Sequence, residues 1–161
     1  MIETPCHQFA ADAMLGRLAR WLRVLGFDTT YDEAIDDPLL VRQALDQGRI
    51  LLTRDRHLLR ELRPARAHEV RGDVPLEQLR QLVVELGLPP PAALFTRCIL
   101  DNTALSDPLP SHEAFELLPP LSRASAGPVR RCATCGRLYW SGSHVRRMRM
   151  ALERAMPGWL A

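Results

Sequence analysis

The sequence predicts an α/β fold with a mostly parallel sheet, because two apolar segments end in an acid and strands alternate with helices. Residues 8–12 and residues 49–55 both run through apolar side chains into an aspartate, Asp12 and Asp55. Helices that follow short apolar strands are typical of parallel sheets covered on their faces. Neighbouring strands of this kind end at one edge of the sheet, where open α/β folds bind their ligands.

Hydrophobic spacing and helix-stop residues define each element. In chain order we predict a strand at 8–12, a helix at 14–25, a strand at 27–31, a helix at 37–47, a strand at 50–53, a short helix at 57–62, a strand at 67–70 and a helix at 75–86. Leucines recur at helical spacing in the first helix, and Gly26 ends it. Asp37 is expected to cap the second helix, with Pro38 at its first position.

A run of three prolines, residues 89–91, interrupts this alternation and predicts a domain boundary. We therefore divide the chain into an α/β core, residues 1–91, and a C-terminal region, residues 92–161. The C-terminal region is proline-rich and irregular at first. It then contains a Cys-x-x-Cys pair and a basic helix over about residues 145–155.

Composition excludes a membrane span and a disulfide framework. The chain has 161 residues, 47% of them hydrophobic, and a net charge of +2. It shows no signal peptide and no apolar run of membrane length, so we expect a cytoplasmic protein. The four cysteines are unevenly spaced, and a Cys-x-x-Cys pair in such a chain indicates metal binding rather than disulfides.

The acidic residues predict a divalent-metal site at the sheet edge. The candidates are Asp12 and Asp55 at two strand ends, Asp36 and Asp37 at the start of the second helix, and Asp73 after the fourth strand. Clustered carboxylates repel one another unless a cation neutralises them, and hard oxygen ligands suit Mg²⁺ or Mn²⁺. Such a site supports attack of a metal-activated water on a phosphodiester. The alternative is that these acids only cap helices, which for Asp37 would explain the residue fully.

Long stretches of the sequence resemble the Mut-seven carboxy-terminal ribonuclease domain family. The resemblance covers about residues 8–150 and is carried by residues 9–28, Asp36-Asp37, residues 50–55, Phe95-Thr-Arg-Cys98, residues 102–105, residues 132–140 and Gly142-Ser-His144. It implies a PIN-like three-layer fold and Mg²⁺- or Mn²⁺-dependent cleavage of RNA. By position, Asp12 and Asp55 match acids of the family motif. Asp37 matches the intervening acid, with Asp36 as the alternative, and Asp73 is a candidate for a fourth.

The resemblance also implies a zinc ribbon, of which Cys132-x-x-Cys135-Gly supplies one half. Where the family has a second Cys-x-x-Cys, this chain reads Cys98-Ile-Leu-Asp101. Asp101 could supply an oxygen ligand in a structural Zn²⁺ site, or His112 or His144 could replace it. The other alternative is that the site is degenerate and that the thiols are ordinary buried side chains.

Basic and aromatic residues suggest how RNA would be held, with single-stranded RNA as the expected partner. The candidate substrate-binding residues are Arg17, Arg20, Arg54, His144 and Arg146. Arginines of the last thirty residues, with Tyr139 and Trp140 nearby, could bind phosphates and stack on bases. The alternative is a solvated helix face beside core aromatics. A catalytically inactive RNA-binding module that uses this C-terminal region is therefore the competing function.

Overall fold

The computed structural model describes residues 6–160 and confirms the α/β fold with a four-stranded parallel sheet. Its elements are β1 (Phe9–Ala11), α1 (Gly16–Val24), β2 (Thr29–Tyr31), α2 (Asp37–Asp46), β3 (Ile50–Thr53), α3 (Arg56–Leu62), β4 (Ala67–Glu69), α4 (Pro75–Leu86), α5 (Ser111–Leu117), β5 (Arg130–Arg131), β6 (Leu138–Tyr139) and α6 (Ser143–Ala155). Two single-turn 3-10 helices, Ala13–Leu15 and Pro120–Ser122, precede α1 and follow α5. The helix predicted at 14–25 is thus a 3-10 turn followed by α1.

The strands lie in the order β2-β1-β3-β4, and every neighbouring pair is parallel. Phe9 is in register with Thr29 on one side and with Ile50 on the other. The chain leaves β1 toward β2 but leaves β3 toward β4, so the connections diverge between β1 and β3. Ligands of open α/β sheets bind at this divergence, outside the carboxyl ends of the two strands.

Alternating side chains of the strands fill two cores, one on each face of the sheet. Phe9, Ala11 and Leu52 face a cluster built with α1 and α4, whereas Ala10 and Leu51 face a cluster built with α2 and α3. The central strands are apolar on both faces because helices cover both. The result is the three-layer α/β/α arrangement that the strand–helix alternation predicts.

The C-terminal region packs on the side of the sheet that carries α1 and α4. Phe95, Cys98, Leu152 and Met156 belong to the same buried cluster as the leucines of α1. The β5–β6 pair is antiparallel, and α6 contacts α4. The two predicted parts therefore share one core, and the division at residue 91 stays a prediction.

Arg23 attaches α1 to the C-terminal region. Only 5% of Arg23 is exposed. Its guanidinium donates to the carbonyl oxygen of Thr29 at 2.9 Å and to those of Ile99 and Leu100 at 3.1 Å each. The loop after residue 98 covers this arginine, and the carbonyl oxygens replace its water.

A second set of polar contacts joins the amino ends of the strands to the same loop. The Asp28 carboxylate accepts from Arg49 at 2.7 Å and from the Asn102 side chain at 2.7 Å. The Asn102 side chain also accepts from the backbone N–H of Thr29 at 3.0 Å. Burial raises the pKa of Asp28, but these hydrogen bonds and the nearby arginines outweigh burial and hold the pKa below its usual value.

Among residues 6–160, no helix is both long and apolar enough to cross a membrane.

Candidate active site and candidate metal centre

Asp12 follows β1 and is held in one orientation by hydrogen bonds to both carboxylate oxygens. Only 4% of the residue is exposed. Its Oδ1 accepts from the backbone N–H of Met14 at 2.9 Å, which caps the 3-10 turn, and its Oδ2 accepts from the hydroxyl of Thr53. Each carboxylate oxygen has two acceptor sites, so each retains capacity for a further partner.

Asp55 lies two residues beyond β3 and caps α3. Its Oδ1 accepts from the backbone N–H groups of His57 at 2.8 Å and Leu58 at 3.1 Å. Its own backbone N–H donates to the Thr53 hydroxyl at 2.9 Å. Within the described residues, no hydrogen bond occupies Oδ2. The structure therefore brings Asp12 and Asp55 to adjacent strand ends and joins them through Thr53.

Thr53 belongs to this site although the acidic pattern of the sequence does not single it out. It is fully buried at the end of a strand whose other members are apolar. A buried hydroxyl needs partners within the protein, and here it has one on each neighbouring acid. The signal was present in the sequence, since Thr53 is the one polar residue of its strand and stands two positions before Asp55.

The cap of α2 is Asp36, so the capping role predicted for Asp37 is wrong. Oδ1 of Asp36 accepts from the backbone N–H of Leu39 at 2.9 Å, and Asp37 and Pro38 are the first two residues of the helix. Proline tolerates this position because N–H groups in the first turn have no partner inside the helix. Asp37 is exposed and does not cap the helix. Helix capping therefore does not account for this residue.

Asp73 is the candidate acid farthest from Asp12 in strand order. It is exposed in the loop between β4 and α4, and β4 is an edge strand separated from β1 by β3. Asp36 and Asp37 follow β2 on the opposite side of β1. Within residues 6–160, no three of these carboxylates bring oxygens within 4.8 Å of one another. The acids are thus distributed along the edge and do not form a closed cage.

The candidate substrate-binding residues are all exposed and lie in two places. Arg54 stands between Thr53 and Asp55, and Arg17 and Arg20 lie on α1, which begins near Asp12. His144 and Arg146 lie in the first turns of α6, where Arg146 donates to the carbonyl oxygen of Ser141 at 3.0 Å. Arg54 is therefore next to Asp55 in the chain, Arg17 and Arg20 follow Asp12 on α1, and the other two candidates lie in the C-terminal region.

A separate group of side chains forms a compact candidate metal centre. Cys98, Asp101, Cys132 and Cys135 each place one ligand atom within 4.8 Å of the other three. The Sγ atoms of Cys98 and Cys135 are 3.7 Å apart, and the Sγ of Cys132 lies 3.3 Å from Oδ2 of Asp101. Neither His112 nor His144 belongs to this group, so Asp101 occupies the fourth position.

The spacing of these atoms fits a tetrahedral zinc ion. Zinc–sulfur bonds of 2.3 Å at tetrahedral angles hold two sulfurs about 3.8 Å apart, and a sulfur and a carboxylate oxygen about 3.6 Å apart. The turn through Gly136 (φ +76°) follows the second cysteine of the pair. Four ligand groups so arranged could hold Zn²⁺, with Asp101 as the one oxygen ligand.

The pKa values of the groups in this centre are shifted in different directions. Burial raises the pKa of Asp101, but hydrogen bonds from the backbone and side chain of Thr103 and from thiols outweigh it and lower the pKa. Burial also raises the pKa of Cys132, whereas the backbone N–H groups of Cys135 and Thr134 lower it, and the net shift is downward. The backbone N–H of Arg137 lowers the pKa of Cys135, yet burial and the adjacent ligand groups raise it to about 11. The anionic forms of these four groups would repel one another, and a bound cation would relieve that repulsion.

The fold and these two sites define an α/β protein with an acidic edge on its parallel sheet and a candidate metal-binding cluster of three cysteines and one aspartate. The family described as the Mut7-C RNAse domain matches residues 7–152 of the chain, and the chain belongs to that family. No curated protein and no solved structure matches it. The predicted family is therefore confirmed, and its RNase domain indicates a ribonuclease-type function with RNA as substrate.

Proposed function

We propose that the protein is a metal-dependent ribonuclease of PIN-like type that hydrolyses RNA phosphodiester bonds at the carboxyl edge of the sheet. The observation that carries the proposal is the Thr53 hydroxyl, which hydrogen-bonds Asp12 and the backbone of Asp55 where the strand connections diverge. The hydroxyl links the carboxylate of one acid to the backbone of the other at the edge where open α/β sheets bind ligands. Such linkage is the support that a preorganised site requires.

In this proposal Asp12, Asp37 and Asp55 are the residues that would hold Mg²⁺ or Mn²⁺. Their carboxylate oxygens are the ligands that such ions prefer, and Mg²⁺ in particular keeps several waters and needs only one or two protein carboxylates. A spread-out arrangement of acids therefore suits it. When bound, the metal activates water and stabilises the leaving oxygen of the phosphodiester. Asp36 and Asp73 are assigned supporting roles at the two flanks of the edge.

The chain's own residues would position the substrate. Asp12 cannot rotate without breaking its hydrogen bonds to Met14 and Thr53, so its carboxylate is held in one orientation. Arg17, Arg20 and Arg54 offer guanidinium groups that bind phosphate in bidentate fashion. These cations would hold an RNA backbone against an edge that otherwise repels it. We also propose that Cys98, Asp101, Cys132 and Cys135 hold a structural Zn²⁺ ion, which stabilises the C-terminal region.

The test compares the native chain with Asp55→Asn on labelled single-stranded RNA, with Mg²⁺, with Mn²⁺ and with chelator. Asparagine also caps helices, so this substitution removes charge and preserves the cap of α3. We expect turnover to fall at least ~100-fold and to require added metal. The matched control is Asp46→Asn, which removes an exposed carboxylate from the last residue of α2. Cleavage that persists in chelator, or that Asp55→Asn leaves intact, would overturn the proposal.

A second candidate function is an inactive RNA-binding module that uses the basic C-terminal region. One observation favours it: a single oxygen of each of Asp36 and Asp55 serves a helix cap, and the acids form no cage. RNA binding without cleavage in either metal, with unchanged affinity in Asp55→Asn, would select this function over the nuclease.

A further inference from the structure

A cavity of about 530 Å³ opens between β6, the start of α6 and the segment that follows α5. This volume lies within the range of small-molecule binding sites in proteins. None of the candidate acids lines it, and it is therefore separate from the acidic edge. Its lining combines an apolar wall with a basic and polar rim.

The wall is aromatic and rigid. Phe95 and Tyr139 are both buried, with ring centroids 6.0 Å apart. The Tyr139 hydroxyl donates to Sγ of Cys98 at 3.1 Å and accepts from the backbone N–H of Ile99 at 3.0 Å. These contacts fix the tyrosine ring against the candidate metal centre. Trp140 adds a half-buried indole to the same lining.

The rim favours negative charge. Arg137 is exposed, and its guanidinium carbon lies 6.0 Å from the centroid of the Tyr139 ring. Ser143 and His144 contribute the first turn of α6, whose N-cap is Gly142 and which has no side-chain cap. The uncapped N–H groups and the dipole of this 13-residue helix add to the positive field of Arg137.

We propose that this cavity binds one unpaired nucleotide of an RNA strand, with the base against the aromatic wall and the phosphate at the rim. Unpaired bases are recognised by stacking on aromatic or guanidinium planes, and the phosphate needs adjacent positive groups. An apolar peptide would use the wall but would gain nothing from the charged rim. The proposal rests on the proposed function in taking RNA as substrate, and it adds a binding subsite away from the acids.

The experiment measures equilibrium binding of fluorescein-labelled octauridine to the full chain carrying Asp55→Asn, so that cleavage does not interfere. Arg137→Ala removes the rim cation. Ser143→Glu places a negative charge at the phosphate position while favouring the helix, since acids stabilise the first turn. Each change should weaken binding about fivefold or more. Arg42→Ala, which removes an exposed charge from α2 on the other face of the sheet, is the matched control and should stay within about twofold.

A second probe separates base recognition from charge alone. An octamer of the same length whose residues are abasic should bind the parent protein about fivefold or more weakly, because its bases no longer stack. Equal affinity for the two octamers would overturn the proposal. The proposal would also be overturned if octauridine affinity changed equally in three variants, Arg137→Ala, Ser143→Glu and Arg42→Ala. An apolar protein segment would then be the better candidate for the cavity.

The nuclease proposal is judged on cleavage by the chain without Asp55→Asn. If that chain does not cleave RNA but octauridine binding follows the predicted pattern, the nuclease proposal fails and the nucleotide cavity stands. If it cleaves RNA but the two rim variants bind octauridine normally, the cavity proposal fails and the nuclease stands.

Discussion

The hydroxyl of Thr53 donates a hydrogen bond to the carboxylate of Asp12, across the boundary between β3 and β1. The same oxygen accepts from the backbone N–H of Asp55 at 2.9 Å. Because Thr53 is fully buried, water cannot replace either partner. The side chain of Asp12 and the backbone of Asp55 are therefore linked through one hydroxyl group.

Replacing Thr53 by valine keeps the shape of the side chain and removes this link. We expect the turnover of RNA to fall about 10- to 100-fold, the usual effect of losing a group that orients metal ligands. Unfolding should also require ~1–3 kcal/mol less, because the Asp12 carboxylate and the Asp55 N–H both lose a buried partner. Cleavage assays and denaturant titration measure the two effects. Thr53→Ser keeps the hydroxyl and should retain most of the activity. If Thr53→Ser loses as much activity and stability as Thr53→Val, packing rather than the hydroxyl is the cause.

The general features of this site were predictable from the sequence, whereas its precise contacts were not. Asp12 and Asp55 could be located because apolar strands end beside them, and parallel strands bring such ends together. The choice between Asp36 and Asp37 as helix cap could not be made, since neighbouring acids satisfy the same pattern and the local backbone decides. The burial of Arg23 could not be predicted from its helix, because the loop that buries it lies 76 residues further along the chain.

The oxygen ligand of the candidate metal centre should make it less selective for zinc than a site with four thiolates. Thiolates are softer ligands and favour Zn²⁺ over harder cations. We expect Asp101→Cys to increase zinc retention against a chelator, and Cys135→Ser to reduce the zinc bound to purified protein. Elemental analysis and the rate of zinc release measure both. Native protein without zinc at any stoichiometry would mean that the group does not bind this metal.

Arg23 should couple the candidate metal centre to the α/β core. Its carbonyl partners, Ile99 and Leu100, lie between the candidate ligands Cys98 and Asp101. Arg23→Met leaves three carbonyl oxygens without their donor, at a cost of about 1–3 kcal/mol each if they stay buried. We expect a lower free energy of unfolding and faster zinc release. Arg23→Lys keeps the charge but lacks the planar guanidinium, so its free energy of unfolding and its rate of zinc release should lie between those of the native protein and Arg23→Met. If Arg23→Lys matches the native protein in both measurements, the charge alone is responsible.

Asp28 should give the protein part of its stability above about pH 4. Its native pKa lies below the ordinary value of 3.8, because hydrogen bonds from Arg49 and Asn102 outweigh the effect of burial. A depressed carboxyl pKa stabilises the native state above the ordinary pKa, and that share is lost as pH falls through the native value. Asp28→Asn should therefore lower the free energy of unfolding by ~2 kcal/mol at pH 6, with a difference from the native protein that shrinks below pH 4.

Denaturant titrations of both proteins between pH 2 and pH 6 test this dependence. Glu85, whose pKa is lowered to about 2 through hydrogen bonds from Gln81 and Arg71, titrates in the same acid range. Since Glu85 is present in both proteins, its contribution cancels in the difference. Asp46→Asn should leave the pH profile unchanged, because Asp46 lies outside the Asp28 contacts. A deficit in Asp28→Asn that stays constant across this range would show that hydrogen-bond geometry, and not the charge of Asp28, links the strands to the loop around Asn102.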